Sequence, residues 1–397
     1  MKNHLLNYSY EALCISPKEY VLAYNNKYYK IEEPVYSILK NGQIAKTIEE
    51  LYNLVNVKNT FSKSDLLDLI NKKLIPLFNS PISEKKENTK SFWIKKQILE
   101  SKAVEAIAKP FSFLYGKMFY LTLSILLGIN LFLIFSSVNE YSSIEATTTI
   151  GFTILKWSIS YLSLFLIIFL HEIGHAAAAI KSGIKPRSIG LGFYTLLPVM
   201  YTDLTEAWKL TKKDKIKVNL GGIYIQLIIG IIFSIILFLT NSIYTKEIIT
   251  YLIGINTTIM LINLFPLLKF DGYWILSDLI GVPNLIQESN AKLLSFITKK
   301  GPFDDEVETS FKGYQNVVIT IYSILRILFI IMMVFMVLMF VTFSTFKTYY
   351  FVTSLPLMEF NTTTIIEIFK KVLMLFIMYI LSRKYFKMAK SYISNRK

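Results

Sequence analysis

Apolar positions are distributed in two ways along the chain. Before residue 80 they come in short groups separated by polar residues, whereas from Phe119 onward they form long, nearly unbroken runs. A membrane span needs about 20 predominantly apolar residues. Runs of that kind occupy Phe119 to Val138, Phe152 to Ile180, Leu220 to Thr240, Ile249 to Leu268, Val317 to Phe343 and Thr363 to Leu381, which predicts about six spans. In the first part, residues 18 to 31 predict two short Tyr- and Val-rich strands around Asn25-Asn26. Three helices follow. One has Pro34 in its first turn and stops at Asn41-Gly42; the next opens with Thr47 and Glu50 at capping-box spacing; the third starts at Ser62 and Asp65 and turns Leu66, Leu69, Ile70 and Leu74 inward. Residues 80 to 110 are highly charged and predict a solvated linker leading into an interfacial amphipathic helix. Ile189 to Val199 alternates as a strand would and predicts a hairpin dipping into the membrane.

Composition strengthens this reading. Of 397 residues, 53% are hydrophobic, more than one soluble domain of that length carries. No apolar segment with a small-residue cleavage site follows Met1, so the N-terminal region is expected to be cytoplasmic. Loop charge agrees, because Lys and Arg are retained on the cytoplasmic side. The loop 181–218 carries Lys181, Lys185, Arg187, Lys209, Lys212, Lys213, Lys215 and Lys217, and the tail is also basic; the alternate loops are nearly bare. Both termini are therefore placed in the cytoplasm, in a multi-pass protein of the cell membrane. The net charge of +15 is accounted for by anionic lipid without any nucleic-acid partner. Cys14 is the single cysteine, which excludes an internal disulfide and a thiolate zinc cluster.

Within the second run, "IIFLHEIGHAAAAI" places His171, Glu172 and His175 in an otherwise apolar stretch. Charged groups at membrane depth cost a few kcal/mol or more unless partnered, so they mark function by default. Histidines at i and i+4 stand one above the other on a helix and can aim two imidazoles at one ion. Glu172 sits beside the first ligand, off its line of approach, and can take a proton from a water polarised at that ion.

Catalytic zinc takes three protein ligands and keeps one open position. The remaining histidine, His4, reads as an exposed tail residue, so the third ligand is expected to be a carboxylate. Asp271, in "NLFPLLKFDG" at the end of the fourth span, is best placed, and Gly272 permits a turn that can point it back. Asp278, Asp203 and Glu206 are weaker alternatives.

The pair "HEIGH" and "NLFPLLKFDG" resembles the site-2 protease family of intramembrane zinc metalloproteases over roughly residues 115 to 285. The segment from Gly183 to Gln226 resembles in particular the peptide zinc metalloproteases found beside modified-peptide genes. The resemblance implies Zn2+ held by His171, His175 and Asp271, with Glu172 as catalytic acid and base. It also implies substrate-binding roles for Asn263 and Pro266: Asn263 would hydrogen-bond the substrate backbone or the oxyanion, and Pro266 would break the helix so that a freed carbonyl faces the cavity. One departure stands out. Where many relatives have Gly-x-x-x-Asn, this chain has Gly222 followed by Gln226.

Residues 18 to 78 resemble a PqqD-like winged-helix domain, the leader-binding element of machinery for ribosomally made, modified peptides. That implies a leader peptide added as a strand at the hairpin edge. The expected fold is then mainly α: a polytopic membrane helix bundle preceded by a small α+β winged-helix-like domain. Its parts are a recognition domain (1–79), a linker and interfacial helix (80–117), a protease core (118–285), a cytoplasmic loop (286–316) and two further spans with a basic tail (317–397). The expected activity is endoproteolysis of a membrane-associated or modified peptide, in maturation, export or immunity. Two other classes stay open: a non-proteolytic transport or immunity component, and a protease releasing a membrane-tethered regulator.

Overall fold

A computed structural model describes residues 4–354, apart from 17–18, 25–26, 57–61, 80–91, 137–148, 195–196, 283 and 299–312, with three isolated positions beyond. The expected sixth span (363–381) and nearly all of the basic tail lie outside the described residues.

The N-terminal region forms three strands, β1 (Glu11–Ser16), β2 (Glu19–Tyr24) and β3 (Lys27–Ile31), in one antiparallel sheet with β2 in the centre. The expected hairpin is present as β2 and β3, with Tyr24 opposite Lys27, and β1 adds to it. Helices α1 (Glu33–Gly42), α2 (Ile48–Val55) and α3 (Lys63–Leu69) follow. Thr47 caps α2 by accepting the Glu50 amide at 3.2 Å. At α3, Ser62 and Asp65 exchange backbone and side-chain bonds in a complete capping box, and these bonds hold the Asp65 carboxyl below its usual range. The third helix is not uniform. It widens into a π-helical turn at Ile70–Leu74 before α4 (Ile75–Asn79), where Pro76 has no N–H to donate and its ring would crowd the Lys72 carbonyl in a regular α-helix.

Leu5, Leu22, Leu39, Leu51 and Leu66 are fully buried in this domain, and Tyr8, Tyr10 and Tyr24 surround the ring of Phe78. The segment from His4 onward is therefore not the free tail expected. His4 opens a 3-10 turn, His4–Asn7, anchored by buried Leu5.

The charged stretch before the first span also corrects the sequence reading. Residues Phe92–Glu100 form a strand, β4, and helix α5 starts only at Ser101 (Ser101–Ala108). Strand β4 pairs antiparallel with β5 (Ser188–Tyr194), which pairs with β6 (Leu197–Asp203). The partner of β4 lies some ninety residues downstream, with Lys96 opposite Leu191, so local composition gives no sign of it. Gly190 makes the close packing possible, since a Cβ there would meet the Tyr201 ring and the Lys96 carbonyl.

Among the described residues, five helices are long and apolar enough to cross a membrane. They comprise α6 (Phe119–Ser136), α7 (Ile150–Lys181), the continuous pair α8 (Lys212–Asn219) and α9 (Gly221–Leu239), α10 (Ile243–Leu264), and α13 (Gly313–Ser354). Two shorter helices, α11 (Asp271–Ile280) and α12 (Leu285–Thr298), lie between the last two. Helix α9 is the central element: 56% of its most apolar window is buried, against 11% for α6 and α7. Its approach to α7 depends on Gly174 and Gly221, each of which would drive a Cβ into the other's carbonyl; small residues at such contacts let transmembrane backbones come together. Tyr115 seals this corner by donating to the Gly221 carbonyl at 2.8 Å and packing on Phe119 and Tyr224. The chain divides into two compact units, Met1–Glu288 and Ser289–Lys397. In the second, the most apolar window of α13 is wholly unburied, as contact with lipid would require.

Candidate metal centre

The inner part of α7 buries His171, Glu172 and His175 in succession, followed by four fully covered alanines, Ala176 to Ala179. Helical spacing puts both imidazoles on one face, with the two Nε2 atoms 3.0 Å apart. Asp271 reaches them from the start of α11. Helix α10 ends at Leu264, earlier than the expected Leu268, because Pro266 forces the preceding Phe265 into an extended conformation. The chain then reverses, and Gly272 packs its Cα against the Leu264 carbonyl, a position where any Cβ would collide. The turn delivers Asp271 Oδ2 to 3.0 Å from His171 Nε2 and 3.3 Å from His175 Nε2.

The far side of each ring decides what these atoms are. His175 Nδ1 lies 2.8 Å from the Val218 carbonyl and His171 Nδ1 lies 3.0 Å from Gln226 Oε1. A carbonyl oxygen only accepts, so each Nδ1 carries the proton, and in the neutral form each ring directs a bare Nε2 lone pair inward. Two lone pairs and a carboxylate oxygen thus converge with no donor among them, and Asp271 Oδ2 is buried without a hydrogen-bond partner. Such a cluster is repulsive unless a cation occupies its centre. For tetrahedral zinc with bonds of about 2.0–2.1 Å, neighbouring ligand atoms stand about 3.3 Å apart. The observed separations fit that edge, and the N2O donor set suits the same ion.

Glu172 is not among the converging atoms. Its Oε2 accepts from Thr202 Oγ1 on β6 at 2.6 Å, and its backbone carbonyl lies 3.1 Å from the same hydroxyl. Asn263, on the last turn of α10, brings Nδ2 to 3.3 Å from His171 Nε2. Pro266 lies in the reversing segment between α10 and α11. The alternatives stand apart from the cluster: Asp203 accepts from the amide and hydroxyl of Thr205, Asp278 accepts from Asn219 at 3.2 Å, and Glu206 sits in a 3-10 turn. Thr202, the Val218 carbonyl and Gln226's contact with His171 were not foreseen. A threonine in an alternating strand carries no local mark, and the other two depend on how helices meet.

Gly222 completes the cradle, for a Cβ there would enter the His171 ring.

The family comparison falls on this part of the chain. Residues 159–298 match the model of Peptidase family M50. The "Putative peptide zinc metalloprotease protein YydH" of Bacillus subtilis (strain 168) is 27% identical over 183 residues, 46% of this chain and 68% of that protein. "Zinc metalloprotease MJ0392" of Methanocaldococcus jannaschii is 28% identical over 136 residues, 33% of this chain and 38% of that protein. No solved structure matches. Over these residues the chain is thus similar to Peptidase family M50, and Zn2+ is the cofactor this similarity and the donor set support.

Proposed function

We propose that the protein is an intramembrane zinc endopeptidase in which His171, His175 and Asp271 hold the ion. The observation that carries the reading is the convergence of two imidazole Nε2 atoms and a carboxylate oxygen, 3.0 to 3.3 Å apart, at ligand-edge spacing. When bound, zinc supplies Lewis acidity that polarises the scissile carbonyl and makes water acidic enough to deprotonate near neutral pH. Glu172 takes the proton as the water oxygen bonds to the carbonyl carbon, and delivers it to the nitrogen as the C–N bond breaks. Thr202 holds the carboxylate in place before the reaction. Asn263 aims its amide N–H groups at the region where the carbonyl oxygen becomes negative. Pro266 ends α10 and opens the backbone that carries Asn263 and Asp271.

The substrate we infer is a peptide or membrane-protein segment at the bilayer, with a ribosomally made, modified peptide as the specific candidate. A leader peptide would add as a strand to the N-terminal sheet, whose three strands leave β1 and β3 as edges. Both termini face the cytoplasm in this reading. Mass spectrometry of candidate peptides incubated with wild type and Glu172→Gln tests it. The wild type cleaves at a discrete bond and the variant does not; equal cleavage by both overturns it.

A further inference from the structure

The departure at Gln226 finds an explanation in the packing of α9. Gln226 is wholly buried, and its Oε1 accepts from His171 Nδ1 at 3.0 Å. Its main-chain carbonyl is held by Asn256 Nδ2 of α10 at 2.9 Å, and the next carbonyl, Leu227, by Asn130 Nδ2 of α6, also at 2.9 Å. Two consecutive carbonyls of α9 are therefore gripped by asparagines from flanking helices. Both asparagines are buried, and Asn130 gains its place because residue 230 is glycine, where a Cβ would strike Asn130 Oδ1. Carbonyl oxygens of a helix point along its axis, and holding two adjacent ones from different sides fixes the helix in both rotation and translation.

We propose that Gln226 is a positioning residue for the metal centre, with Asn130 and Asn256 clamping α9 so that the Gln226 amide oxygen fixes the tautomer and tilt of His171. The chemical logic is that a ligating imidazole is oriented by the acceptor on its other nitrogen, and loss of that acceptor typically costs about 10–100-fold in metal affinity. His175 obtains the same service from a main-chain carbonyl, which cannot be mutated away. His171 depends on a side chain, and glutamine supplies the reach from α9 to the ring. This inference rests on the assignment of His171 as a ligand.

The test is zinc binding by purified full-length protein in detergent, measured by competition with a chromophoric chelator, for wild type, Gln226→Met and Gln226→Glu. Methionine keeps the volume and removes the acceptor; glutamate keeps an acceptor oxygen on the same Nδ1–H. The expected result is zinc affinity at least about 10-fold weaker in Gln226→Met and within about 2-fold of wild type, or tighter, in Gln226→Glu. Cobalt-loaded protein gives a second readout, with the visible absorption bands shifted in Gln226→Met and restored in Gln226→Glu. Gln226→Met binding zinc as tightly as wild type overturns the proposal. If Gln226→Met does not fold, a folded Gln226→Glu that loses zinc 10-fold or more overturns it too. Wild type that binds no zinc would instead overturn the assignment of the metal ligands, so the two failures are distinguishable.

Discussion

Helix α7 carries two buried polar sites, one towards each end, and they are chemically opposite. At Lys156 the ammonium donates to Glu247 of α10 at 2.7 Å and lies 5.2 Å from the centre of the Tyr251 ring. Donor faces acceptor, charge faces countercharge, and the site is complete. At His171 and His175 three acceptors face one another when the rings are neutral, and their supporting groups select that tautomer by accepting both Nδ1 protons. The first site is what a helix bundle does with a polar pair it must bury. The second makes sense only with a cation. Burial alone therefore does not separate structural from functional polar groups within a span; the balance of donors and acceptors does.

The contrast can be broken from either side. The largest effect is expected from Glu172→Gln, which removes the proposed proton carrier and leaves the three converging atoms intact. Peptide hydrolysis should fall by about 10²–10⁴-fold with zinc content unchanged, measured by mass spectrometry and metal analysis on the same preparation. Loss of both together would show that Glu172 supports the site rather than the reaction. Next, Lys156→Met should leave Glu247 buried and uncompensated, at a cost of about 3–5 kcal/mol, seen as an earlier unfolding transition in detergent with zinc affinity unaltered. The double change Lys156→Met with Glu247→Leu should recover most of that stability, because a matched apolar pair replaces a matched ionic one. A similar double replacement at His171 and His175 could restore stability but not zinc, which separates the two ends of α7. The smallest effect is expected at Thr202. Thr202→Val removes one hydrogen bond to a carboxylate, worth about 1.5–3 kcal/mol, and should slow cleavage by roughly tenfold, with Thr202→Ser restoring it and zinc binding unaffected in both.

The local patterns of the sequence were readable where the physics is local. The apolar runs mark five helices of spanning length within one to six residues at most ends, and Ser62 and Asp65 form the expected capping box. The i, i+4 histidines share one face and the chain turns after Pro266 because helical periodicity and proline stereochemistry act over a few residues. What was hidden depends on distant partners. Strand β4 reads as linker and interfacial helix because its lysines and Trp93 match a headgroup-level segment, and only β5 makes it a strand. The anchoring of Leu5 depends on packing within the N-terminal domain, and the roles of Thr202 and Gln226 depend on where β6 and α9 lie against α7. In the substitution of glutamine for the usual asparagine, the sequence marked the right position without revealing its contact.

The most direct test of the central claim is the zinc content of purified full-length protein beside that of Asp271→Ala, determined by elemental mass spectrometry after exhaustive dialysis. About one zinc per chain is expected in the wild type, as a three-ligand site requires, and little or none once the carboxylate is gone. Full retention of zinc in Asp271→Ala, with the protein folded, would contradict it.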